Sequence, residues 1–125
     1  SLNRFALDLH DAVKAERQNC MVFFAPNKYP WACNNLSQDW PSWVKSGACE
    51  FLTVQCYVTA NYERDVDSQI AYMKANTSKN IFQPAMILKN GANLMSPQML
   101  SEQLCHNRKV GTMCEAQRAN PGRSD

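Results

Sequence analysis

The chain has 125 residues, 45% apolar and 19% charged, and its 13 basic residues nearly balance its 11 acidic ones. This composition suits one globular domain with a hydrophobic core. A net charge of +2 with no basic block gives no reason to expect nucleic acid as a partner. The apolar runs fall far short of the about 20 residues that cross a bilayer, so no membrane span is predicted. No signal peptide is visible, and an exported protein would therefore be seen here in its mature form.

The first part of the chain alternates helical and strand patterns. Apolar residues at helical spacing predict a helix over residues 3–18. Residues 20–25 (CMVFFA) form a continuous apolar run, which is typical of a buried strand in a parallel sheet. A loop over residues 27–33 precedes a second helical pattern over residues 34–46, where Pro41 indicates a kink or a restart.

The second part begins with the clearest strand, residues 49–59 (CEFLTVQCYVT), which is rich in β-branched and aromatic side chains. Apolar residues at helical spacing then predict a helix over residues 62–73. An Asn-Gly pair between apolar runs at 85–88 and 92–95 is a strong hairpin signal. A Ser-Pro pair caps a final predicted helix over residues 97–105.

This order of elements, α-β-α-β-α-β-β-α, defines the predicted α/β fold class. Strands joined by helices favour parallel pairing with right-handed crossovers, and the hairpin adds an antiparallel edge. We therefore predict a four-stranded mixed sheet with helices on both faces and an extra N-terminal helix. Residues 1–114 form the single predicted domain, and residues 115–125 a polar, flexible tail.

The six cysteines give the strongest indication of the compartment. An even number in a short chain favours three disulfides and a secreted or lumenal location, against the alternative of six free thiols in a cytosolic protein. The spacings include no C-x2-C or C-x4-C pair, and His10 and His106 complete no ligand set, so neither metal nor cofactor is predicted. Two N-x-[ST] sequons make Asn35 and Asn76 candidate N-glycosylation sites.

Two short motifs carry a resemblance to a known family. Residues 23–26 (FFAP) resemble the F-Y-A-P that precedes W-C-G-H-C in protein disulfide isomerases. Residues 83–91 (QPAMILKNG) resemble the motif x-P-T-ϕ-ϕ-ϕ-ϕ-K-N-G, where ϕ is apolar, but are shorter by one residue. With the element order, residues 21–104 thus resemble the thioredoxin-like fold family. The resemblance implies that Pro84 is the counterpart of a cis proline that faces a redox pair.

The sequence departs from this family at the redox pair itself. Without a gap, the C-G-H-C positions fall on Lys28, Tyr29, Pro30 and Trp31, and neither cysteine is present. Registers with inserted residues retain only Cys33, as either the first or the second cysteine. Because dithiol exchange needs an activated thiolate and a resolving thiol, no register restores that chemistry.

The resemblance also places the cysteines relative to one another. In this fold the helix after the loop begins near the carboxyl ends of the parallel strands, so a Cys33–Cys56 disulfide is expected. Cys20 and Cys49 lie at the starts of neighbouring strands, which suggests a second pair. Cys105–Cys114 would be the third pair.

A binding function follows as the leading hypothesis. The candidate binding loop comprises Lys28, Tyr29, Pro30 and Trp31, together with Pro84, whereas Trp40 and Trp43 are expected in the core. We expect a redox-inactive thioredoxin-like domain that binds a protein or peptide, as a chaperone-like module or a subunit of an assembly. One alternative is a monothiol oxidoreductase that uses Cys33 as its catalytic residue. Another is a small disulfide-rich secreted effector of a different fold.

Overall fold

The structure, a computed structural model, describes residues 1–112. The predicted tail and Cys114 lie outside the described residues. The helices are α1 (Leu2–Glu16), α2 (Trp31–Leu36), α3 (Trp40–Ser46), α4 (Tyr62–Lys74) and α5 (Pro97–Val110), and a single 3-10 turn spans Thr59–Asn61. The strands are short: β1 (Phe23–Phe24), β2 (Phe51–Leu52), β3 (Lys89–Asn90) and β4 (Asn93–Leu94).

The long helices form where the apolar spacing predicts them, and side chains cap two of them. The Ser1 hydroxyl accepts a hydrogen bond from the Arg4 N–H at 3.3 Å, which caps α1. The Ser96 hydroxyl accepts one from the Met99 N–H at 3.1 Å, and a proline in the first turn completes the start of α5. Helix α5 runs past its predicted end and stops at Gly111, whose φ of 70° suits glycine.

The helical pattern predicted over residues 34–46 is two helices in the structure. Ser37 takes a left-handed φ of 56° and ends α2. Pro41 lies in the first turn of α3, where its missing N–H costs no hydrogen bond. The predicted restart at Pro41 is therefore confirmed, although the first helix begins earlier than predicted, at Trp31.

Three extended segments run parallel to one another with β2 in the centre. Phe23 is in register with Phe51 on one side of β2. On the other side, isolated parallel bridges join Leu52 to Phe82 and Gln55 to Ala85. The predicted parallel pairing of the first two strands is confirmed, as helical crossovers require.

The predicted four-stranded mixed sheet is wrong. Within residues 1–112 the strands form two separate two-stranded sheets, β1–β2 and β3–β4. The hairpin pairs only with itself, Lys89 with Leu94 and Asn90 with Asn93, so no ladder in the described chain joins it to β1–β2. The third extended segment begins earlier than the strand predicted at residues 85–88, because residues 81–85 bond to β2 and to the chain that follows it. A thioredoxin-like sheet is accordingly absent from the described residues.

The core lies on one face of the parallel segments. Even-numbered side chains of β2 and its extension, such as Leu52 and Val54, are fully buried, while the odd-numbered Phe23 is 58% exposed. Because side chains alternate along extended chain, the odd-numbered side chains share the opposite, more open face. Trp40 and Trp43 belong to the core, as predicted.

A carboxylate links α1 to the strands. Glu50 Oε1 lies 2.8 Å from Lys14 Nζ and accepts a hydrogen bond from the Val22 N–H at 3.1 Å. His10 Nε2 lies 3.6 Å from the same oxygen. The Lys14 hydrogen bond holds the pKa of Glu50 below its ordinary value. This contact fixes the end of α1 against the start of β2.

Candidate functional site

The loop after β1 folds back on itself and leads directly into α2. The Lys28 carbonyl accepts a hydrogen bond from the Ala32 N–H at 2.8 Å, and the Pro30 carbonyl accepts one from the Asn34 N–H at 3.1 Å. The peptide bond between Tyr29 and Pro30 is cis. We call residues 28–31 the Trp31 loop.

One buried glutamine of α4 holds the backbone of this loop. Gln69 is 2% exposed, and its Oε1 accepts a hydrogen bond from the Tyr29 N–H at 2.8 Å. Its Nε2 donates to the Tyr29 carbonyl, also at 2.8 Å. The side-chain amide thus satisfies both backbone groups of a single loop residue, as a neighbouring strand would.

Side-chain contacts fix the same loop from three further sides. The Tyr29 ring makes edge contacts with Trp40 and Tyr72, at centroid distances of 5.9 and 4.8 Å. Lys28 Nζ forms an ion pair with Asp65 Oδ2 at 2.7 Å, and both side chains are largely buried. Just before the loop, the Asn27 N–H donates to Gln38 Oε1 at 3.0 Å.

The fixed loop leaves an apolar surface in contact with solvent. Trp31 is 55% exposed, and Leu36, at the end of α2, is 42% exposed. Pro30 is exposed as well, whereas Lys28 and Tyr29 are half-buried. Of the predicted binding residues at 28–31, Lys28 and Tyr29 therefore anchor the loop, whereas Pro30 and Trp31 are exposed to solvent.

Pro84 does not share this surface. It is buried in the third extended segment, and the cis bond found in the described chain precedes Pro30 instead. The neighbouring Ala85 N–H bonds to the Val54 carbonyl at 2.8 Å, so this segment is occupied by strand pairing. The predicted candidate site therefore loses Pro84.

The five described cysteines are free thiols in the structure, so the expected Cys33–Cys56 and Cys20–Cys49 disulfides are not formed in it. Cys20 is exposed whereas Cys49 is buried, and the Cys49 thiol donates to the Phe51 carbonyl at 3.2 Å. The third expected pair, Cys105–Cys114, extends outside the described residues.

Burial suppresses the reactivity of two of these thiols. Desolvation raises the pKa of Cys49 to about 11. Desolvation, with the Asp65 carboxylate adding to it, raises the pKa of Cys56 to about 12. Both thiols are therefore protonated at neutral pH and are poor nucleophiles. Cys33 is half-buried in the first turn of α2.

The two sequon asparagines lie on helices or at their ends. The Asn35 side chain is exposed and donates to the Trp31 carbonyl at 3.0 Å. The Asn76 side chain donates to the Tyr72 carbonyl at 2.9 Å. Within residues 1–112, no group of three or more His, Cys, Asp or Glu side chains is placed so that it could hold a metal ion. No helix in that part of the chain is long and apolar enough to span a membrane.

Sequence reasoning missed the residues that hold the loop, Gln69 and Asp65. Gln69 lies on the buried stripe of α4, in series with the buried Tyr62, Val66 and Met73. A glutamine on an apolar helical face is a detectable signal, because a buried amide needs hydrogen-bond partners. Its partner at Tyr29, 40 positions away, could not be read from that pattern.

Comparison with known proteins adds no relatives. A scan against protein-family models, a search of curated proteins and a search of solved structures each returned no match. The resemblance to the thioredoxin-like family thus rests on the two sequence motifs alone.

Proposed function

We propose that this chain is a non-catalytic protein-binding domain whose contact surface is the Trp31 loop. The observation that supports this most is the combination of a loop whose Tyr29 N–H and carbonyl are both hydrogen-bonded with a 55% exposed tryptophan. A side chain held in place before binding loses little conformational freedom on association, and tryptophan is among the strongest anchors in interfaces. The partner is a protein or peptide with an apolar recess that accepts an indole ring.

The chemistry around the loop favours binding over dithiol catalysis. The family's C-G-H-C motif falls on residues 28–31, so its two cysteine positions hold Lys28, which pairs with Asp65 of α4, and the exposed Trp31. Cys56, within electrostatic reach of the Lys28–Asp65 pair, is buried with a raised pKa. A binding role as a chaperone-like module or an assembly subunit agrees with this arrangement.

A secreted or lumenal location is part of the proposal. Its support is the even number of cysteines and the two sequons, whose asparagines bond only to nearby backbone carbonyls. Non-reducing peptide mapping of protein purified from its natural cells tests it. Disulfides or glycans in that material agree with an oxidising compartment, and six unmodified thiols would reject it.

A site-specific photo-crosslinker tests the contact surface. We expect benzoylphenylalanine at position 31 to join the chain to one partner in extracts of its natural cells. The matched position is Asp8, exposed on α1, where no such product is expected. With the partner purified, Trp31→Ala should weaken binding at least tenfold, about 1.4 kcal/mol, while the thermal midpoint stays unchanged. Identical products from positions 31 and 8, or full affinity of Trp31→Ala, would refute the proposed surface.

A further inference from the structure

A second apolar surface lies beside the hairpin, away from the Trp31 loop. The chain that follows β2, the hairpin β3–β4 and the first turn of α5 enclose a groove of about 440 Å³. Its apolar lining is unusually open to solvent: Leu94 is 75% exposed, Leu88 59% and Val58 47%. We call this the hairpin groove. Contiguous exposed apolar surface of this kind marks interaction sites.

The groove continues into a polar cavity of about 400 Å³ at the start of α4. The two share Thr59 and Met99 in their linings, so one occupant can lie across both. The groove is lined mainly by apolar side chains, with Lys89, two asparagines and the hydroxyls of Tyr57 and Thr59 among them, whereas the cavity contains Glu63 and Glu102. The surface therefore changes from apolar to acidic along its length.

A buried acceptor lies in the wall of the polar cavity. Gln103 is 5% exposed, and its Oε1 has no hydrogen-bond partner among the described residues. An unpaired buried acceptor is unfavourable, so a hydrogen-bond donor that reaches it removes that penalty. Glu63 and Glu102 add two carboxylates against the single guanidinium of Arg64 in the same lining.

We infer that the hairpin groove and its polar cavity bind a peptide segment in which apolar residues are followed by lysine or arginine. The apolar side chains of that segment cover Leu88, Leu94 and Val58, and its cationic group faces Glu63 and Glu102. Charge complementarity favours this occupant, because a segment with an acidic end would place its carboxylates next to those of Glu63 and Glu102. The same carboxylates disfavour an anionic lipid surface.

The inference is independent of the proposed function. The hairpin groove shares no residue with the Trp31 loop, and its lining lies between residues 57 and 99. A failure of either binding surface leaves the other intact. A chain with both would join two different partners.

Fluorescence anisotropy with synthetic peptides tests the inference. The probe is fluorescein-labelled Gly-Leu-Ile-Phe-Leu-Gly-Lys-Lys, and its matched control carries two glutamates in place of the two lysines. We expect the basic peptide to bind at least about tenfold more tightly than the acidic one at physiological salt. Equal affinity for the two peptides, or no binding of either, would overturn the inference.

Variants then locate the binding. Leu94→Gln and, independently, Val58→Gln should each weaken the basic peptide at least about tenfold; both sites are exposed, and circular dichroism verifies folding. A double variant, Glu63→Lys with Glu102→Lys, should reverse the preference between the peptides. Leu9→Gln, an exposed leucine of α1, is the matched control and should bind normally. Peptide affinity unchanged in both Leu94→Gln and Val58→Gln would contradict the inferred site.

Two further measurements address other occupants. Phosphatidylcholine vesicles that sediment with the wild-type protein but not with Leu94→Gln would assign the groove to membranes instead. A dimer in light scattering that Leu94→Gln dissociates would assign it to a second copy of the chain. The inference requires that the protein is monomeric, does not bind neutral vesicles, and binds the basic peptide more tightly than the acidic one.

Discussion

The Trp31 loop and the hairpin groove expose similar apolar side chains but are stabilised in different ways. The loop gets its shape from the interior: Gln69, Asp65 and Trp40 reach it from α4 and α3. The hairpin gets its shape from its own backbone pairs, around a turn at Gly91 whose φ is 62°. A surface supported by the core is sensitive to distant substitutions, whereas a locally supported surface is sensitive only to its own.

The largest expected effect is a difference in alkylation rate between exposed and buried cysteines. In protein kept reduced, at pH 8, the exposed Cys20 and Cys105 should react with iodoacetamide at least about a hundredfold faster than the buried Cys56, whose pKa burial raises to about 12. Mass spectrometry of the alkylated peptides measures each rate. Labelling of Cys56 as fast as Cys105 in the wild type would contradict the described burial.

The same experiment separates the monothiol alternative from the binding proposal. An enzyme using Cys33 requires rapid alkylation at that position and glutathione exchange that Cys33→Ser abolishes. The binding proposal expects Cys33→Ser to leave partner affinity unchanged. A loss of exchange activity in that variant would restore the enzymatic alternative.

The next effect is a loss of stability, which we expect for a substitution beneath the Trp31 loop but not for one in the hairpin. Gln69→Leu keeps the side-chain size but leaves the Tyr29 N–H and carbonyl without partners, so we expect it to lower the free energy of unfolding by about 3 kcal/mol. Urea denaturation measures this. The matched change in the hairpin, Leu94→Asn, should stay within about 0.5 kcal/mol because Leu94 is 75% exposed. Similar losses for the two variants would remove the contrast between the surfaces.

A smaller effect measures the ion pair beneath the loop. A double-mutant cycle with Lys28→Met and Asp65→Asn should give a coupling energy of about 1 kcal/mol, because the pair is largely buried at 2.7 Å. The control pair, Arg4 and Asp8 on α1, is separated by 3.0 Å but mostly exposed, and should give about 0.3 kcal/mol. Equal couplings would show that burial adds nothing to the loop's support.

The smallest effect is a pH dependence at Glu50, which neither surface contacts. The Lys14 hydrogen bond lowers the folded-state pKa of Glu50 below its ordinary 4.5. Its contribution to stability is therefore present above about pH 4.5 and is lost as the pH falls through the folded-state value. Glu50→Gln should flatten the acid limb of the stability curve by less than about 1 kcal/mol, and Glu16→Gln, at the exposed end of α1, is the control. An unchanged acid limb in Glu50→Gln would show that the Lys14 contact does not stabilise the fold.

Prediction from sequence succeeds here where the pattern is local. Helices α1, α4 and α5 and the hairpin follow from apolar spacing, caps and the Asn-Gly pair, all within a few residues of one another. Even so, the turn occupies Gly91 and Ala92, since Asn90 pairs with Asn93. Local patterns therefore predict that an element exists more securely than its register.

The sheet and the candidate site depend on pairings that sequence spacing does not determine. Short apolar runs at 20–25, 49–59 and 85–88 predict strands but not their partners, and the chain pairs β2 with 81–85 while the hairpin remains separate. The site was predicted at Lys28, Tyr29, Pro30, Trp31 and Pro84. The structure keeps the first four together and buries Pro84 in strand pairing. Gln69 supports the loop through its contact with Tyr29, and these two positions are too far apart in sequence for a spacing pattern to predict the contact.

The bond between Gln69 and Tyr29 also has a consequence for the order of folding. The hairpin closes between residues five positions apart, Lys89 and Leu94, and such contacts form on the microsecond scale. The loop closes over 40 positions and requires that α4 is already packed on the core. The hairpin can thus form from local contacts alone, whereas the Trp31 loop takes its binding shape only once α4 is in place. A partner that recognises Trp31 would therefore distinguish chains in which α4 has packed from chains in which it has not.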